Sequence, residues 1–147
     1  RVFHYKVQAV PGSITTDRLN NANFPLKFKA RGQLGWRNGG LSLNTFYNYA
    51  NAYRVVAILP ASQFPPALPA GTLQNEKVRA HLTMDATLTY AFASDSGLLS
   101  DLSFSVNAQN LFDRDPPFAR INASQTYDPG NASVLGRMIS IEVRKTF

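Results

Sequence analysis

The sequence predicts an all-β protein of antiparallel strands, of the kind that forms part of a transmembrane β-barrel. Three observations predict it: six runs in which apolar and polar residues alternate, a regular order of short and long connections, and aromatic residues gathered near the ends of the runs. Successive side chains of an extended chain point to opposite faces, so a period of two is the mark of a strand.

The first run alternates Phe3, Tyr5, Val7 and Ala9 with His4, Lys6 and Gln8. The second, PLKFKARGQLGW (25–36), sets Lys27, Lys29 and Arg31 against Leu26, Phe28, Ala30, Leu34 and Trp36. In the third, Leu41, Leu43, Thr45, Tyr47 and Tyr49 alternate with Ser42, Asn44, Phe46 and Asn48. The fourth runs from Val78 to Tyr90, the fifth from Leu102 to Gln109 and the last from Ile139 to Phe147, each with its apolar residues on one parity. Runs of roughly 9–11 residues suffice to cross a hydrocarbon layer at a tilt of about 45°.

Arg37-Asn38-Gly39-Gly40 predicts a tight hairpin, with Asn-Gly supplying the positive φ angles of a type I′ turn. Residues 93–97 predict a second short turn. Residues 11–24, 55–77 and 113–134 are long links, and the proline-rich LPASQFPPALPAG predicts an irregular middle link. With strands paired in sequence order, the long links fall at one end of the sheet and the short turns at the other, as in outer-membrane barrels. Trp36, Tyr90, Phe92 and Phe147 lie towards the short-turn end, and Phe24, Tyr49, Tyr53 and Phe112 towards the long-link end, the arrangement of two interfacial belts. Lys145, the exception on its apolar parity, is close enough to the terminus for its ammonium to reach headgroups.

Composition narrows the classes. With 147 residues, 44% of them hydrophobic and 16% charged, the chain is an ordered protein of single-domain size. The absence of Cys removes disulfides, thiolate metal sites and cysteine nucleophiles. No apolar run of about 18 residues predicts a spanning helix. A start at Arg1, inside the first alternating run and without Met or leader, predicts a piece of something larger. Six strands also fall short of a bacterial barrel, which begins at about eight. The net charge of +6 would suit nucleic acid, but the cations stand on strands opposite apolar faces and no nucleic-acid-binding motif is present.

The stretches NAQNLFDRDPPF (107–118), TYDPGNASVLGR (126–137) and MISIEVRKTF (138–147) resemble the last two strands of TonB-dependent outer-membrane receptors. Asn110-Leu111-Phe112-Asp113 matches the close of the penultimate strand, Gly136-Arg137 the opening of the final one, and Phe147 the terminal aromatic read by the barrel-assembly machinery. The upstream LKFKARGQLGW and GGLSLNTFYNYANAYR are similar to earlier strands, so the resemblance spans nearly the whole chain. It implies the last six strands of a 22-stranded barrel, with a plug and a TonB-contacting segment outside this sequence. It further implies an outer-membrane location and TonB-energised uptake of scarce ligands such as siderophore-iron, cobalamin or a saccharide. The partners implied are outer-membrane lipid, the plug and TonB, the assembly machinery and the transported ligand.

In that setting Lys27, Lys29 and Arg31 face the lumen, where they are candidate contacts for an anionic ligand. A one-residue slip would turn all three to lipid, at about 2–4 kcal/mol for each cation near the midplane. Other candidates carry blander readings. His4 and His81 have no partner at metal-ligand spacing. Asp113, Asp115 and Asp128 read as solvated loop acids and turn formers, and Asp85 as part of a lumenal salt-bridge network with Arg79, His81 and Thr83. Tyr47, Tyr49 and Tyr53 fit a lipid-interface belt better than a sugar platform. Asn122-Ala123-Ser124 and Asn131-Ala132-Ser133 match the short glycosylation sequon. No catalytic grouping, cofactor motif or metal site stands out in the sequence. The resemblance implies a transport protein and not an enzyme. A soluble β-sandwich ligand-binding module, for example for carbohydrate, is the alternative, and a small outer-membrane barrel enzyme or adhesin a further one.

Overall fold

The computed structural model describes residues 3–8, 11–12, 16–59, 72–92, 100–122 and 124–146. These residues hold strands and no helix: β1 (Lys6–Val7), β2 (Thr16–Asp17), β3 (Lys29–Asn38), β4 (Leu41–Ala50), β5 (Tyr53–Leu59), β6 (Thr72–Val78), β7 (His81–Ala91), β8 (Leu102–Gln109) and β9 (Met138–Lys145). They form a five-stranded antiparallel sheet, β3-β4-β7-β8-β9, and two two-stranded ribbons, β1-β2 and β5-β6. The large sheet is open, since β3 and β9 each have one neighbour.

Contacts divide the chain into two units. The first comprises residues 30–48, 82–114 and 135–147 and carries most of the large sheet. Its register places Leu88 opposite Val106 and Val106 opposite Ile141, and places Tyr90 opposite Phe104 and Phe104 opposite Val143. Apolar residues of three strands therefore share one face. Thr87 with Asn107, Thr89 with Ser105 and Ser105 with Glu142 share the other.

The second unit comprises residues 1–29, 49–81 and 115–134. The hydrophobic core of the described residues lies here: Ala22, Leu26, Ala50, Tyr53, Val55, Val78 and Ala119, with Ile121 packed against them. Asn20 and Asn51 fasten it. Asn51 Nδ2 donates to Asn20 Oδ1 at 2.9 Å, and Asn20 Nδ2 donates to the Ala52 carbonyl at 3.0 Å.

Several expectations are corrected. The first run is no long strand. Asp17 Oδ1 accepts the backbone N–H groups of Tyr5 and Leu19, which holds the chain in a short local pairing. The second run becomes a strand only at Lys29, because Asn20 and Asn51 side chains accept the amides of Lys27 and Phe28 that a ladder would otherwise use. The middle link is not irregular throughout: Tyr53–Leu59 pairs residue for residue with Thr72–Val78, as the β-branched run Val55, Val56 and Ile58 favours. The proline-rich part, 60–71, lies outside the described residues, as do the short turn at 93–97 and Phe147. In the hairpin joining β3 to β4, Gly39 and not Asn38 takes the positive φ, 56°. The turn is thus centred on Gly39-Gly40, with the left-handed residue first, as in type II′ and not type I′.

Candidate functional site

The feature of the first unit with the clearest chemical meaning is its apolar face. Ile139, Ile141 and Val143 of β9 are 63–66% exposed, and Leu34 and Trp36 of β3 are 65% and 53% exposed. Leu82, Leu88, Tyr90 and Phe104 are exposed between these edges. Side chains of this size each contribute about 1.5–3 kcal/mol when removed from water, so such a face requires a cover. Thr45 has the parity of this face, and its hydroxyl donates to the Leu34 carbonyl at 3.3 Å, which satisfies its one polar atom. Lys145 stands opposite Leu102 at the end of β9. Tyr90 and Phe92 meet edge to face at 4.9 Å at the same end of the sheet.

The reverse face is held by hydrogen bonds. Thr87 Oγ1 donates to Asn107 Oδ1 at 2.8 Å, and the Thr89 and Ser105 hydroxyls lie 2.9 Å apart. Asp85 takes neutral donors in place of the expected salt-bridge network: Asn48 Nδ2 at 3.1 Å and the Asn110 backbone N–H at 2.9 Å. Arg31 belongs to this face, with its guanidinium 5.2 Å from the centre of the Phe46 ring.

The NLFD stretch is a double latch. Asn110 and Asp113 both adopt positive φ, 48° and 52°. Asn110 is nearly buried, accepts the Arg114 N–H through Oδ1 and donates to the Arg114 carbonyl through Nδ2. Asp113 Oδ1 then accepts the Arg137 N–H at 2.7 Å, just before β9 starts. The motif fixes where β8 ends and where β9 begins.

In the second unit, Asp128 organises the TYDPGN turn. Its side chain is 1% exposed and accepts the Gly130 N–H at 3.0 Å, Asn131 Nδ2 at 2.8 Å and the Asn23 N–H at 3.4 Å. It is a turn former, but not a solvated one. Lys29 Nζ donates to Asn131 Oδ1 at 3.0 Å and to the Gly130 carbonyl at 3.2 Å, so two of its three donors serve this turn. Lys27 is exposed and precedes β3. The three candidate cations thus have different surroundings, with Lys29 on the turn and Arg31 on Phe46.

Tyr53 is 2% exposed within the core, which corrects its expected place in a lipid-interface belt. Burial, and then the Asp128 carboxylate, push its phenol pKa up. The Tyr53 hydroxyl has no hydrogen-bond partner among the described residues. Tyr49 remains on the surface, 36% exposed, with its ring 5.9 Å from that of Phe28. His4 Nδ1 lies 3.4 Å from Asp17 Oδ2, and both are exposed. The Asp17 pKa is lowered, chiefly by the Leu19 and Tyr5 backbone N–H groups. Asn122 forms an Asx turn, its Oδ1 accepting the N–H groups of Ser124 and Gln125. No group of three or more metal-binding side chains occurs among the described residues. No helix of the described residues is long and apolar enough to cross a membrane, which says nothing of crossing by strands.

Comparison with protein-family models, curated proteins and solved structures gives no match.

Proposed function

We propose that the chain is the C-terminal portion of the barrel of a TonB-dependent outer-membrane receptor, and that β3, β4, β7, β8 and β9 are its membrane-spanning strands. The observation that carries this reading is the exposed apolar face of a sheet whose reverse face is hydrogen-bonded and polar. Three strand lengths support it, 10, 10 and 11 residues against the roughly 9–11 that a tilted strand needs, while β8 and β9, at 8 residues each, are one short of that range. So does the location of the polypeptide core, which lies wholly in the second unit and, apart from Ala50 at the end of β4, in the segments that connect the strands of the large sheet. An open sheet edge cannot face lipid, so β3 and β9 would each pair with further strands of the same barrel. The function is uptake of a scarce ligand through the completed barrel, with energy delivered through TonB, and the chain carries no enzymatic role.

Site-directed spin labels on single introduced cysteines test this reading, and residues 1–147 contribute no competing Cys. Labels at residues 139 to 143 of the full gene product are placed in outer-membrane vesicles. Positions 139, 141 and 143 are expected to be accessible to lipid-soluble oxygen, and 140 and 142 to a water-soluble nickel chelate. Uniform water access, or a protein that disperses as a monomer without detergent, would replace the barrel with the β-sandwich binding module.

A further inference from the structure

Positive charge is unevenly shared between the two units. Residues 1–29, 49–81 and 115–134 hold nine of the fifteen cations and four of the nine acids, leaving five of the six net positive charges in the second unit. Within it, the β5–β6 register places Arg54 directly opposite Lys77. Both side chains are exposed. Like charges directly across a ladder are about 5 Å apart at Cβ and repel, so this pairing works against the hairpin's own stability.

No acid of the described residues stands across from either cation on this face. Neither Arg54 nor Lys77 makes an ion pair among the described residues. Glu76, the one acid of the two strands, stands opposite Val55 on the other face. Nor can the pair escape by slipping: Tyr53, Val55 and Val78 on that other face are 0–3% exposed in the core, and a one-residue shift would pull them into water. Arg54 Nη1 donates to Asn75 Oδ1 at 2.8 Å, which orients the guanidinium along the hairpin and leaves the Asn75 amide N–H groups as neutral donors beside it. Exposed Arg79 follows two residues after Lys77.

We propose that this face of the β5–β6 hairpin binds an anion, a small solute carrying two or more phosphate or carboxylate groups. Bound oxyanions would turn a repulsive pair into a charge-assisted one, with the guanidinium offering a paired N–H fork and the ammonium a point charge. The site stands on the hairpin's own geometry and does not depend on what covers the apolar sheet face, so its failure and that of the lipid reading are separable.

The test is titration calorimetry of the full gene product, purified in non-ionic detergent, with inorganic pyrophosphate and with citrate at low ionic strength. Saturable binding is expected for at least one of them. Lys77→Gln should weaken it at least tenfold while leaving the ligand-free thermal midpoint unchanged or raised, because the repulsion is gone. Arg54→Gln should weaken it comparably, and should Arg54→Gln fail to fold, Lys77→Gln alone decides. Equal affinity in wild type and Lys77→Gln, or no saturable binding of either anion, overturns the proposal. Capture of the chain by phosphatidylglycerol vesicles without pyrophosphate or citrate binding also overturns it, by assigning the charge to a lipid surface.

Discussion

Asp113 Oδ1 and the backbone N–H of Arg137 meet at 2.7 Å, across 24 residues of sequence, so that the turn closing one strand also caps the start of the next. Gly136 makes this approach possible, since a Cβ there would come within 2.9 Å of the same carboxylate oxygen. Asn110 anchors the turn from its other side through its paired bonds with Arg114. Left-handed φ values at Asn110 and Asp113 are tolerated because Asn and Asp pay the least for them among residues with a Cβ.

The latch predicts that Asn110→Ala destabilises the sheet by about 2–4 kcal/mol, from the lost side-chain hydrogen bonds to Arg114 and Leu135, partners left unsatisfied and strain at positive φ. Asp113→Ala should cost less, about 1–3 kcal/mol, because one charge-assisted bond is lost. Urea unfolding of the full gene product in detergent measures both. Hydrogen exchange at the Arg137 amide should quicken in Asp113→Ala, and an unchanged rate there would refute the cap.

Two glycines give opposite expectations. At Gly40 a Cβ would lie 2.2 Å from the Ala91 carbonyl oxygen, a backbone atom that cannot swing aside, while the Gly40 carbonyl accepts the Ala91 N–H at 2.8 Å. Gly40→Ala should therefore part the start of β4 from the end of β7, seen as faster exchange of the Ala91 amide. Gly32 in β3 has open space around its would-be Cβ and no positive φ. Gly32→Ala should stabilise by about 0.5–1 kcal/mol through the smaller entropy of its unfolded chain.

The large sheet was legible in the sequence because each of its strands has one solvent-like and one apolar face, and that contrast writes itself as a period of two. What was missed lies where side chains replace the ladder. Asn20 and Asn51 accept the amides of Lys27 and Phe28, and Asp17 accepts those of Tyr5 and Leu19, so an alternating pattern runs on where the strand does not. Tyr53 carries the same letter as Tyr47 and Tyr49 and the same parity, yet is buried. Only its long-range partners, Asp128 and Ala119 among them, distinguish it. The Arg54–Lys77 pairing depended on the register of a hairpin whose connection is rich in proline, and proline had argued against strands there. One signal was available: Tyr-Asp-Pro-Gly-Asn is a turn sequence with a mechanism, and its Asp128 indeed accepts the Gly130 amide.

The two faces of β9 predict a strong asymmetry to charge. In the full gene product inserted in lipid, Ile141→Arg should cost about 2–4 kcal/mol if residue 141 meets the bilayer midplane. Ser140→Arg, one residue away on the face shared with Asn107, should stay within about 1 kcal/mol. Unfolding in guanidinium from lipid vesicles reads both, and equal costs would argue that the two faces share one environment.

At low pH the weak point is the β1–β2 ribbon. The Asp17 pKa in the folded chain lies below its ordinary 3.8, so the unfolded carboxylate takes up a proton first as pH falls. The bonds to Tyr5 and Leu19 are at full strength above about pH 4 and are lost as pH drops through the lowered value. Hydrogen exchange of the Tyr5 and Leu19 amides, corrected for intrinsic rates, should lose protection in that window. Asp17→Ala should show little protection at neutral pH.

At high pH the weak point is Tyr53. Its folded pKa is raised above the ordinary 10.0, first by burial and then by the Asp128 carboxylate, so above about pH 10 the unfolded phenol ionises while the folded one stays protonated. Proton release then favours the unfolded state: the contribution of Tyr53 is intact below pH 10 and declines as pH rises towards its folded value. Tyr53→Phe removes that titration and also removes a buried hydroxyl that has no hydrogen-bond partner among the described residues. The variant should match or exceed the wild type by about 1 kcal/mol at pH 7, since a buried orphan hydroxyl costs at least that much. Its advantage should widen between pH 9 and pH 11 because only the wild type has this phenol to lose. Thermal unfolding of both proteins across that range is the measurement. A constant difference would show that the phenol is not shielded as its burial implies, and a large loss in Tyr53→Phe at pH 7 would reveal a hydroxyl bond to Asp128 that holds the core to the 128–131 turn.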